Sequence, residues 1–152
     1  MTFGKKTIVA MNISDHVTEF LKPLKEMDFL AGSDIQFVFV FNTITYSFGL
    51  GEVPLVYPIE ADRSVIEQSG LELMVKLTEN VLPKNFEGKV SHKILFGDDP
   101  KAKFSRYVNE EKADLVIVPT RQKHGIFESS FAQYVNKHTT CSMILLKNRG
   151  NS

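Results

Sequence analysis

The chain has 152 residues, with 18 Lys+Arg against 18 Asp+Glu, 43% hydrophobic residues, 24% charged residues and one cysteine. That length predicts a single domain spanning residues 1–152 with a substantial core, and the composition excludes a disordered chain. Zero formal net charge excludes a nucleic-acid binder that works by bulk phosphate neutralisation.

Cys141 stands alone, so no internal disulfide can form. Residues 1–6 lack a basic start followed by an apolar core, and no apolar run approaches ~20 residues. The expectation is a cytoplasmic protein with no membrane and no nucleic-acid partner.

In chain order, residues 7–11 (TIVAM) read as a buried strand. Asn12 and Ser14 offer N-cap oxygens, and Val17, Phe20, Leu21, Leu24 and Met27 follow at helical spacing. This predicts a helix over about 15–29, kinked at Pro23, which removes a hydrogen bond. Residues 34–41 (DIQFVFVF) predict a strand covered on both faces.

Residues 42–58 then form a long irregular segment, which predicts a loop lying over the sheet edge. Residues 61–82 predict a long helix with Ile66, Leu73, Leu77 and Val81 as its apolar stripe, ended by Pro83. Residues 89–96 predict a third strand. Asp99-Pro100 marks the next helix start, with Asp99 as N-cap and Pro100 in the first position. Phe104, Tyr107 and Val108 give that helix its buried face, and Lys101, Lys103, Arg106 and Glu110 face water. Residues 114–119 predict a fourth strand. Ser129 or Glu128 opens a last helix with Phe131, Tyr134, Val135 and His138 on one stripe, and Ser142 to Leu146 form a fifth strand.

This alternation implies an α/β fold with a parallel, doubly wound sheet and helices on both faces. Ligands in such sheets sit outside the carboxyl ends of the strands, where the strand order reverses. The places to search are residues 12–15, 96–99 and 120–130.

The chemistry there is sparse. His16, His92, His124 and His138 fall in no metal-ligand spacing, and each reads as structural. There is no G-x-S-x-G, no Walker A and no G-x-G-x-x-G after the first strand. No catalytic residue is predicted and no metal. The stretch from Thr120 to Ser130 (TRQKHGIFESS) is the most informative. Arg121 and Lys123 are cationic, and Ser129 and Ser130 precede helical amides. Free amides at a helix N-terminus beside cations make an anion site, and a solvated basic loop is the equal alternative.

Three blocks carry a family resemblance: residues 8–15 (IVAMNISD), 94–122 (ILFGDDPKAKFSRYVNEEKADLVIVPTRQ) and 129–147 (SSFAQYVNKHTTCSMILLK). Together they resemble the universal stress protein family, with the middle block the most specific. The resemblance implies a five-stranded Rossmann-like sheet of the adenine nucleotide alpha hydrolase-like kind. It also implies a homodimer pairing through the last strand, Ser142 to Leu146, and in many members ATP held by a G-x2-G-x9-G-[ST] loop after the fourth strand. This chain departs from that pattern. Asn12 replaces the family's acidic residue, Pro119 stands at the first loop glycine, Gln122 at the second and Ser129 at the third. Gly97 and the Ser130 hydroxyl are kept.

The expectation is a non-enzymatic stress-response or regulatory module. It is predicted to have no cofactor, to form a homodimer and to have an unidentified regulatory protein partner. The alternative is a protein that holds ATP or another adenine nucleotide weakly, or an anion, through Asn12, Gly97, Arg121, Lys123, Ser129 and Ser130.

Overall fold

The computed structural model describes residues 5–11, 17–42, 60–121 and 129–148. Five strands form one sheet: β1 (Lys6–Ala10), β2 (Asp34–Asn42), β3 (Val90–Gly97), β4 (Leu115–Arg121) and β5 (Ser142–Asn148). All pairings are parallel and the order is β3-β2-β1-β4-β5. The helices are α1 (Val17–Leu21), α2 (Glu60–Thr78), α3 (Pro100–Glu110) and α4 (Ser129–His138). The doubly wound parallel sheet predicted from the alternation is therefore present.

Strand alternation sorts the core into two layers. Val9 and Met11 of the first segment, Ile35 and Phe37 of β2, Ile94 of β3, Leu115 and Ile117 of β4, and Leu146 of β5 join Leu21, Leu24, Leu30 and Met74 on one face. Ile8, Ala10, Val38, Leu95, Val116 and Val118 join Phe104, Val108, Ala132 and Val135 of α3 and α4 on the other. Both faces of the three inner strands are covered, which is why residues 34–41 read as a near-continuous apolar run.

Three expectations are corrected. The single kinked helix over 15–29 is instead α1 followed by two 3-10 turns, Lys22–Glu26 and Asp28–Leu30. Pro23 sits at the start of the first turn, where its missing N–H costs nothing, and its ring forbids α1 from continuing through it. The long helix ends at Thr78, before Pro83; there the Thr78 hydroxyl donates to the Met74 carbonyl (2.8 Å) and the Val81 N–H turns back to donate to the Thr78 carbonyl (3.3 Å). Its buried stripe is also rotated: Leu73 is 41% exposed and Met74 is fully buried in its place.

Asp99 does occupy the N-cap position of α3, with extended backbone, but its side chain makes no capping bond. It accepts from Lys101 Nζ at 3.0 Å instead, and that hydrogen bond holds its carboxyl below the usual range. Lys101 and Lys103 are partly exposed, and Arg106 and Glu110 fully so, on the outer side of α3. The Lys101 ammonium lies 5.4 Å over the Tyr134 ring.

The far end of α3 is closed by a Schellman motif. The Ala113 N–H donates to the Val108 carbonyl (3.2 Å) and the Lys112 N–H to the Asn109 carbonyl (3.1 Å). Lys112 takes the left-handed conformation (φ 54°) that the motif requires. Asn109 then ties α3 to the end of α4: its Nδ2 donates to the His138 carbonyl (2.8 Å), and the Thr140 N–H donates to its Oδ1 (3.3 Å).

Candidate functional site

The strand order reverses between β1 and β4, and the backbone opens there. β1 pairs with β4 from Thr7↔Leu115 only as far as Val9↔Ile117. It stays with β2 through Ala10↔Val38, and the Met11 N–H still donates to the Val38 carbonyl at 3.0 Å. β4 meanwhile follows β5 to Arg121↔Asn148. The carboxyl ends of β1 and β4 therefore diverge beyond Ile117, making the crevice expected at a topological switch point.

Pro119 lies in the diverging stretch of β4, opposite Leu146 of β5. A proline there supplies a ring and no N–H, where a glycine would supply a donor and no Cβ. The strand also runs two residues past the expected end, so Thr120 and Arg121 are spent on pairing with Lys147 and Asn148.

The predicted site residues distribute along this edge. Arg121 ends β4, and Ser129 and Ser130 open α4 on the return, with Ser130 exposed. Asn12 and Lys123 lie outside the described residues, as do most of the loop from Thr120 to Ser130 and the segment 43–59.

Gly97 is set apart from these residues. It is the last residue of β3, and β2 and β1 separate β3 from β4. Three inter-strand spacings put about 14 Å between them. Gly97 also has a local structural reason to be glycine. A Cβ there would come within 3.3 Å of the Lys103 Cβ and Cγ, so the Lys103 stem packs where a side chain would otherwise stand.

His92, His138 and Cys141 each make packing contacts or are partly buried. His138 stacks on Tyr134 with ring centroids 3.8 Å apart at the end of α4. Burial pushes the half-buried Cys141 thiol up, which keeps it protonated and unreactive near neutrality. His92 stacks on Phe37 (5.5 Å, 18°) and meets Thr78 Oγ1 at 2.8 Å. Among the described residues no group of three or more His, Cys, Asp or Glu side chains is placed to hold a metal ion, and no helix is long and apolar enough to cross a membrane.

The fold is similar to several solved structures. A hypothetical protein designated MJ0577 matches with a TM-score of 0.68 at 15% identity, covering 99% of this chain and 100% of that one. A universal stress protein from Archaeoglobus fulgidus matches at 0.59 and 18% identity, over 97% and 96% of the two chains. A universal stress protein solved in complex with cAMP matches at 0.58 and 10% identity, over 94% and 96%. A search of curated protein sequences finds no match. At these identities the structural likeness speaks for the fold. The sequence itself matches the model of the universal stress protein family over residues 31–147, from the end of the 3-10 turns through β5. The chain belongs to the universal stress protein family.

Proposed function

We propose that this chain is a non-enzymatic, cytoplasmic stress-response module that acts as a homodimer and does not hold ATP tightly. Pro119 carries the reading. It stands in the opened stretch of β4 beside the switch-point crevice, where a phosphate-binding loop needs backbone donors and close approach. Its fixed φ and missing N–H work against both needs.

Homodimerisation is supported by β5, an edge strand of the sheet. Leu145 is 43% exposed there, and an unpaired apolar edge invites a second strand. Titration calorimetry with Mg-ATP should give a dissociation constant weaker than micromolar, and sedimentation should give a dimer at high micromolar concentration. Micromolar or tighter ATP binding overturns the first half of the reading, and a monomer at that concentration overturns the second.

One observation favours a second reading, an anion or nucleotide site of altered design. Arg121 and the start of α4 bracket the same loop at the same carboxyl edge, and a structural neighbour holds cAMP. Running cAMP and inorganic phosphate beside Mg-ATP in the calorimeter separates the two readings.

A further inference from the structure

β3 is an edge of the sheet, and its first half is open. The Ile35 N–H donates to the Lys89 carbonyl at 2.8 Å, and Ile35 stands opposite Val90. Lys89 and Ser91 therefore turn their backbone groups toward β2, and Val90 and His92 turn theirs away from the sheet. Among the described residues, none of the four outward N–H and C=O groups of Val90 and His92 has a partner. Ile94 and Leu95 are buried, whereas Val90 is 41% exposed and Ser91 and Lys93 are exposed. The accessible edge is thus residues 90–93, and an accessible edge is a template for another strand.

One face of this edge is basic. Strand alternation puts Ser91, Lys93, Leu95 and Gly97 on the α3 side, where Leu95 joins that core layer and the Lys103 stem lies across Gly97. Lys89 continues the row. Tyr107 holds α3 against β2, its hydroxyl donating to Gln36 Oε1 at 2.7 Å, and Arg106 is exposed beside it. Lys89, Lys93, Lys103 and Arg106 form no ion pair; the pairs among the described residues are Lys6–Glu111 and Lys101–Asp99. The acids on this flank are Asp34, which accepts from the Lys89 N–H at 3.0 Å, and Glu110. The cations outnumber them, a local excess in a chain of zero net charge. The other face of the edge is apolar, with Val90 exposed and the His92 ring stacked on Phe37 at 5.5 Å.

We propose that residues 90–93 are a docking edge for a partner protein, which adds an extended segment of alternating acidic and apolar residues beside β3 as a sixth strand. The outward groups of Val90 and His92 supply the main-chain hydrogen bonds. The strand period of two then sorts the partner's side chains. Its acids lie on the α3 face beside Lys89 and Lys93, and its apolar residues lie on the α2 face beside Val90 and the His92–Phe37 stack. The same lysines disfavour a second copy of β3 as the occupant, because two such edges would bring like charges together. β5 is the opposite edge of the sheet, so this docking neither competes with a dimer there nor depends on one.

Amide NMR of the intact chain, titrated with an end-blocked peptide of alternating glutamate and valine, tests the proposal. The Val90 to Lys93 amides should shift and those of β5 should not. Replacing every valine of the peptide by proline keeps its charge, removes donors and should abolish the shifts. The double variant Lys89→Glu, Lys93→Glu changes two exposed side chains and should weaken the glutamate peptide roughly tenfold. A lysine–valine peptide should bind that variant and not the parent. Three results would each overturn the proposal: no shift at about 1 mM peptide, equal binding of the proline peptide, or shifts centred away from β3. A single-stranded oligonucleotide that moves the same amides at lower concentration than the peptide also overturns it, since the flank would then be a nucleic-acid face.

Discussion

Gly88→Ala should lower stability by about 3–5 kcal/mol and the melting temperature by roughly 10 °C, an effect out of proportion to one methyl group. A Cβ at Gly88 would stand 2.0 Å from the Ser33 carbonyl oxygen and 2.7 Å from its carbon. Both obstacles are backbone, so no rotamer change relieves them. The two segments are also pinned on either side of the contact. The Glu87 N–H donates to the Ala31 carbonyl (2.7 Å), the Ile35 N–H to the Lys89 carbonyl (2.8 Å), and the Lys89 N–H to Asp34 Oδ1 (3.0 Å).

Ser33 is pinned as well, by its N–H to the Leu30 carbonyl (3.0 Å) and its hydroxyl to the Lys5 carbonyl (2.6 Å). Admitting the methyl group means moving one segment and weakening several of these bonds at about 0.5–1.5 kcal/mol each, besides the overpacking itself. Gly70→Ala is the contrasting case. Its Cβ would meet Ile94 Cδ1 at 2.4 Å, the movable tip of a side chain, and alanine gains up to about 1 kcal/mol of helix propensity. Thermal melts of both variants should show a large fall for Gly88→Ala and little change for Gly70→Ala. A Gly88→Ala melting point within about 2 °C of the parent would refute the backbone-contact argument.

Gly88 also shows which parts of the fold were readable in the sequence. The strands announce themselves because the inner ones are covered on both faces, so residues 34–41 need no register to be recognised. The phase of α2 is different. Ile66, Leu71, Leu73, Met74, Val75 and Leu77 lie around most of the helix, and it is tertiary packing, such as the approach of Gly70 to Ile94, that puts Met74 in and Leu73 out. That contact spans two elements and has no local signature.

Similarly, the tolerance of Pro23 within a 3-10 turn depends on Leu24 and Leu30 reaching the core beside Leu21. At the candidate site, the substitution of Pro119 for glycine was legible as chemistry. The separation of Gly97 from Arg121 was not, since it follows from the strand order. The partners of His92 were also out of reach: Thr78 belongs to the preceding helix and Phe37 to a strand separated from β3 by that helix.

Phe37→Ala should be the most damaging single truncation on the α2 side of the sheet, costing about 3–5 kcal/mol of a total stability of roughly 5–15 kcal/mol. The ring is fully buried. It sits on β2, opposite Val9 of β1 and His92 of β3, so it packs where two strand pairings meet. Its layer is closed above by Met74, Leu21, Leu24 and Leu30, drawn from α2, α1 and the 3-10 turns. Four separate elements would have to shift together to fill the void, and partial collapse leaves a cavity with its own cost. Phe37→Leu keeps most of the volume and should cost less than half as much. Denaturant titration should show the midpoint falling in the order parent, Phe37→Leu, Phe37→Ala, with an unchanged slope. Equal losses for the two variants would mean that β2 itself, and not the filled space, is what the ring supports.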